Sequence, residues 1–127
     1  MLIQETFSIA ILGTGGAELA TVAQTIKPAG GRLVRVDFFV PTLDNGSETA
    51  KVALEKGGNA NVVYLADTVV GSGTCADNAW TSAQFPSTNG SYYPLPVDTN
   101  GLTARITANA AQAATRTFLL ILTIEVI

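Results

Sequence analysis

The stretch "SIAILGTGGAELATVAQTI", Ser8 to Ile26, decides how the chain is read. A short apolar run leads into Gly13-Thr14-Gly15-Gly16, and apolar residues then recur at Leu19, Val22, Ala23 and Ile26. That order matches the strand, glycine loop and helix of a dinucleotide-binding unit. Such a unit needs Gly-x-Gly-x-x-Gly, because its third glycine lets the helix pack closely on the strand. Gly13 and Gly15 fill the first two positions, but Glu18 stands at the third, a side chain where none is accommodated. Asp37 does lie about the right distance downstream to take a ribose hydroxyl. Only about a dozen residues separate it from Ala50, however, with Pro41 and Asp44-Asn45-Gly46 among them. A parallel sheet needs a crossover of that length for each helix alone. No Gly-Lys-Ser/Thr follows the glycines, so a phosphate loop is excluded as well. The stretch therefore reads as two strands joined in a hairpin, with glycine supplying positive φ at the turn. The spacing of Leu19, Val22 and Ile26 is the one local signal for a helix.

Outward from this stretch the dominant period is two. Phe7, Ile9 and Ile11 alternate with Thr6, Ser8 and Ala10. Val34, Val36, Phe38 and Val40 face one way, with Arg35 and Asp37 on the other side. Ala50, Val52 and Leu54 oppose Lys51, Ala53 and Glu55, and Leu102, Ala104, Ile106 and Ala108 oppose Thr103, Arg105 and Thr107. Turn formers punctuate these runs in "KPAGG", "PTLDNGS", "KGGNAN", "VGSG", "STNGS" and "DTNG". A turn about every ten residues is the cadence of a sandwich or barrel. The expected fold is all-β: one antiparallel β-sandwich over residues 1–127, jelly-roll or immunoglobulin-like, with about eight strands.

The last strand is apolar on both faces. Phe118, Leu120, Leu122, Ile124 and Val126 fill one, and Leu119, Ile121 and Ile127 populate the other. Each fully buried Leu, Ile or Phe contributes roughly 1.5–3 kcal/mol, so the second face calls for cover. A neighbouring subunit would supply it, as would a loop of the same chain. The one long irregular segment is expected at about 71–96, "GSGTCADNAWTSAQFPSTNGSYYPLP". Long loops are often functional, and this one carries Trp80, Phe85, Tyr92 and Tyr93 as candidate partner-binding residues. Their rings suit a protein partner, stacking on sugar, or capping of one end of the core.

Composition narrows the chemistry. The chain has 127 residues, 47% apolar and 13% charged, the latter about half the common share. A protein so poor in charge either presents small neutral side chains to water or covers part of its surface with partners. The net charge is −3 and the seven Lys and Arg are scattered, so no basic stripe for nucleic acid exists. There is no histidine and one cysteine, Cys75. That excludes an internal disulfide, a His/Cys zinc site and a histidine-based triad built from this chain alone. Cys75 lacks a histidine to activate it. "DNGSE", Asp44 to Glu48, has acids at near calcium-loop spacing but lacks the later ligands and flanking helices, so a turn is expected there. Asp37 and Glu55 are expected as ion-pair partners of Arg35 or Lys51 rather than as a catalytic pair. The residues call for no cofactor and no metal, and the chain is expected not to be an enzyme. The N-terminal run carries Glu5 and no basic region, so no secretory signal is expected. The apolar run Thr117 to Ile127 is too short to span a bilayer as a helix.

Three stretches carry a resemblance: "IKPAGGRLVRVDFFVPT", "AKVALEKGGNANVVYLADT" and "LPVDTNGLTARITANAAQAATRTFLLILTIEVI". In strand–turn cadence, scarcity of charge and an apolar final strand, the chain resembles the small virion proteins of tailed bacteriophages, especially capsid decoration or cement proteins. The resemblance implies a β-sandwich or jelly roll on the outer capsid surface, often trimeric, bracing neighbouring capsomers. It implies the major capsid protein as partner, a homo-oligomer, assembly in the host cytoplasm, and neither nucleic acid nor membrane as ligand. It brings no catalytic residues. A second expectation is a carbohydrate- or receptor-binding domain of a phage fibre or tail, with Trp80 and the tyrosines as stacking platforms.

Overall fold

Side chains alternate between the two faces of a strand, and the strands form where the sequence alternates. The computed structural model describes residues 2–11, 18–24, 31–56, 59–85, 93–94, 102–110 and 112–126, and the statements below concern those residues. They form ten strands: β1 (Leu2–Ile11), β2 (Glu18–Gln24), β3 (Arg32–Val40), β4 (Thr49–Lys56), β5 (Asn59–Leu65), β6 (Cys75–Ala76), β7 (Ala79–Gln84), β8 (Tyr93–Pro94), β9 (Leu102–Ala108) and β10 (Arg116–Glu125). A single 3-10 turn at Gly71–Gly73 is the only helical piece among the described residues. Both sheets are antiparallel. One runs β1-β10-β3-β7 with β8 beside β3, the other β2-β9-β4-β5 with β6 beside β4.

The order follows one rule when only the eight longer strands are counted. The first pairs with the last, the second with the seventh, the third with the sixth and the fourth with the fifth. The chain is thus a two-stranded ribbon doubled back at β4–β5. The ribbon then curls, so that β10 also pairs with β3 and β9 with β4. This corrects the expected first hairpin: β1 and β2 belong to different sheets and pair with β10 and β9 instead. Short-range pattern registers two strands separated by glycines, but their partners lie at the other end of the chain. The glycines themselves, at 13, 15 and 16, lie outside the described residues. The helix-like spacing of Leu19 and Val22 is overridden, since β2 is extended.

The core draws on both sheets. Leu33, Val36, Phe38 and Val40 of β3 and Phe118, Leu120, Leu122 and Ile124 of β10 are buried with Ala50, Val52 and Leu54 of β4 and Ala104 and Ile106 of β9. Phe38 and Phe118 stack at 5.8 Å across neighbouring strands. A register shift opposite Thr123/Ile124 places a bulge at Val34. The expected inward residue Val34 is therefore displaced: Leu33 is buried and Val34 is only half-buried. The bulge resets the alternation, so the rest of β3 keeps its expected faces.

The segment 71–96, expected to be irregular, also needs correction. It contains β6, β7 and β8, and β7 extends the first sheet along β3. β7 escaped notice because its inward positions, Ala79, Thr81 and Ala83, are small and half-buried rather than strongly apolar. At its entrance Gly71 has φ +63°, and a Cβ there would lie 2.9 Å from the Cys75 Sγ. Glycine alone meets both demands.

Candidate interaction surface

On the outer face of the first sheet, cross-strand register assembles residues that are remote in sequence. Leu119 of β10 stands opposite Phe39 of β3, and Phe39 opposite Trp80 of β7. The Phe39 and Trp80 rings are 5.2 Å apart and tilted by 46°. Trp80 is 50% exposed, while Phe39, Leu119 and Ile121 are half-buried. The next row of the same face runs Ile121, Asp37, Ser82. The partner-binding candidate Trp80 and the interface candidates Leu119 and Ile121 thus lie on one surface. Phe39 joins them unannounced. Its position in "VDFFV" beside the buried Phe38 was the available signal, since alternation sends one of two adjacent phenylalanines outward.

The remaining candidates fall elsewhere. Phe85 is buried at 6% exposure in the core, so its ring faces inward and offers no partner contact. Its backbone N–H donates to the carbonyl of the bulged Val34 at 2.8 Å. The Tyr93 backbone pairs with Leu33. The Tyr93 side chain, Tyr92 and Ile127 lie outside what the structure describes.

The polar part of this surface is ordered. Arg35 Nε donates to both Asp37 carboxylate oxygens, at 2.8 and 3.0 Å. Ser82 Oγ donates to Asp37 Oδ1 at 2.5 Å, and Arg35 NH2 donates to Ser82 Oγ at 3.2 Å. The expected pairing of Asp37 with Arg35 is present, within one strand rather than across two. Farther along, Gln4 Nε2 donates to Thr123 Oγ1, and Arg32 pairs with Glu125 at 3.0 Å.

The second sheet arranges its charge differently. Glu55 is buried and pairs with Arg105 of β9, not with Lys51. Lys51 instead lines an open groove of about 290 Å³ with Thr49, Thr107, Ala108 and Asn109.

Where the β3–β4 and β9–β10 connections meet, a clasp joins them. Buried Gln112 accepts from the Asp44 N–H at 2.8 Å and donates to Glu48 Oε2 at 2.7 Å. Asp44 accepts from the Ala113 N–H at 2.6 Å and from Arg116. Those two donors, Ala113 first, hold the Asp44 carboxyl below the usual carboxylate range. Asn45 to Glu48 is a turn, closed by Glu48 N–H on the Asn45 carbonyl at 2.9 Å. The acids of "DNGSE" are therefore engaged with protein donors, and no cluster of potential metal ligands occurs among the described residues. Cys75 is buried, which pushes its thiol pKa up, with a hydrogen bond to Thr81 opposing. A buried protonated thiol is a poor nucleophile. No helix among the described residues is long and apolar enough to cross a membrane.

No protein-family model matches the chain, and no curated protein matches it. Among solved structures it is similar to a chain of the cyanophage Pam1 capsid asymmetric unit, with a TM-score of 0.57 at 17% identity. The match covers 97% of this chain and 83% of that one. At this identity the likeness is one of fold, and it runs through nearly the whole all-β chain.

Proposed function

We propose that this chain is a structural virion protein of a tailed bacteriophage, a jelly-roll sandwich that decorates the capsid and cements it by bridging neighbouring capsomers. The observation that carries the reading is the fold likeness to a capsid chain over 97% of the length. The strand order supports the jelly roll. Pairing first with last, second with seventh, third with sixth and fourth with fifth makes a two-stranded ribbon of eight strands rolled into two sheets, an architecture used by viral capsid domains.

The physics suits the role. Two sheets sharing one apolar core hold a rigid frame, while connections at the ends vary without disturbing it. The clasp of Asp44, Gln112 and Arg116 fixes two of those connections against each other. Cementing requires many modest contacts made together, since neighbouring attachments raise one another's effective concentration. In this reading the partner is the major capsid protein of the same virion, the protein acts as a homo-oligomer, a trimer by preference, and no catalytic step is involved. Assembly takes place in the host cytoplasm and the mature location is the capsid surface.

Co-sedimentation with purified capsids assembled without this chain tests the proposal. Saturable binding at a fixed ratio to the capsid protein is expected, together with capsids more resistant to heat. Absence of binding at micromolar concentration contradicts it. Analytical ultracentrifugation tests the oligomer separately, and a monomer at micromolar concentration contradicts the trimer.

A further inference from the structure

Trp80 is the only tryptophan of the chain, and it is half exposed although it lies in a sheet. Its indole leans on Phe39, which itself stands beside Leu119, so the ring is oriented yet open. About 7 Å away along the same face, one pair of residues by strand rise, lie Asp37 and Ser82. Arg35 and Ser82 both hold the Asp37 carboxylate, whose side chain is 18% exposed, and the Arg35 side chain is 40% exposed. An oriented aromatic ring thus borders a pre-arranged set of donors and acceptors.

Two classes of partner put aromatic rings to use. A protein hot spot sits in a dry pocket ringed by contacts that exclude water. Trp80 is open rather than enclosed: Phe39 and Leu119 flank it on one side only. Ser82 and Gln84 follow along its own strand, and the adjoining row runs Thr6, Ile121, Asp37, Ser82, polar except for the half-buried Ile121. A sugar ring has the matching character, an apolar C–H face with a rim of hydroxyls. Its face lies on the indole, while rim hydroxyls donate to the Asp37 carboxylate and accept from the guanidinium N–H groups of Arg35. Holding these groups in place beforehand lowers the ordering cost of binding. The Arg35–Asp37 pair is neutral as a unit, which matches an uncharged glycan. Trp80 and Asp37 are diagonal neighbours on adjacent strands, a backbone spacing of about 7 Å, which a run of linked sugars spans.

We infer that the outer face of the first sheet around Trp80, Asp37, Arg35 and Ser82 binds a neutral oligosaccharide strand. This site goes beyond the capsid role and does not depend on it.

Because Trp80 is the sole tryptophan, its fluorescence reports on the site directly. The full chain is titrated with dextran, mannan, xylan and a soluble β-glucan, each watched by emission and by affinity electrophoresis. At least one is expected to shift the emission to the blue saturably and to retard the protein. Trp80→Ala, at an exposed position, is expected to weaken that retardation about tenfold. Asp37→Asn is expected to weaken it while the thermal unfolding of the variant stays within a few degrees of the parent. Four polysaccharides with no emission change overturn the inference, as does retardation that Trp80→Ala leaves unchanged. Capsid co-sedimentation lost in Trp80→Ala also overturns it, by making the face a protein contact. Retained capsid binding by the same variant, with glycan binding lost, separates this site from the capsid role.

Discussion

On the outside of the first sheet an indole stands half exposed and the charges are paired near the surface; on the outside of the second, a carboxylate and a hydroxyl are buried. Trp80 is 50% exposed, whereas Glu55 and Thr103 are 3% and 1% exposed. Both faces point away from the shared core, so burial of the apolar side does not explain the contrast. The first face spends little of the protein's stability and is free to make contacts. The second face is tied into the fold through an ion pair that removal of one partner would leave uncompensated.

The largest expected effect follows from that pair. Arg105→Ala strands the buried Glu55 carboxylate and should destabilise by about 3 kcal/mol, read as a lowered urea midpoint at unchanged slope. Trp80→Ala should cost about 1 kcal/mol or less, because the ring is half exposed and its loss leaves no buried group unpaired. Equal costs at the two positions would erase the distinction between the faces.

Thr103 sharpens the comparison from the opposite direction. Its buried hydroxyl has no hydrogen-bond partner among the described residues. Thr103→Val keeps the shape, removes the unsatisfied group, and should stabilise by about 1 kcal/mol in the same urea assay. A loss of stability would mean that the hydroxyl is satisfied in solution.

The smallest effect concerns the clasp between the two connections that pass from sheet to sheet. Asp44 has its pKa lowered in the folded state by the Ala113 N–H and by Arg116. A depressed folded pKa means that the unfolded chain binds the proton more readily. The stabilisation is complete above the ordinary carboxylate pKa and disappears as pH falls through the lower folded value. Urea midpoints between pH 6 and about pH 3 should therefore drop more steeply for the parent than for Asp44→Asn. Parallel curves would show that the clasp is not formed in solution.

How much of this was legible in the sequence depends on the range of the interaction. Alternation in "RVDFFV", "AKVALE" and "TFLLILTI" marks strands and their inward residues, and burial of Val36, Phe38, Val52, Leu54, Leu120 and Leu122 follows it. Pairing is set by contacts between chain ends, such as Leu2 with Glu125, which no local period encodes. That is why the glycine-containing stretch from Ser8 to Ile26 looked like a hairpin and proved to contribute one strand to each sheet. β7 was hidden by its small inward residues, and the bulge at Val34 shifted one inward position by one residue. At the candidate surface, Trp80, Leu119 and Ile121 were readable singly. Their meeting through Phe39 was not, because it depends on the order β10-β3-β7.

A density map of the intact phage particle that contains this chain is the most direct measurement of the central claim. Two-sheet density that accommodates β1 to β10 is expected on the outer capsid surface, touching at least two neighbouring capsomers. A particle with that density confined to a fibre or tail, or absent from it altogether, would contradict the capsid role.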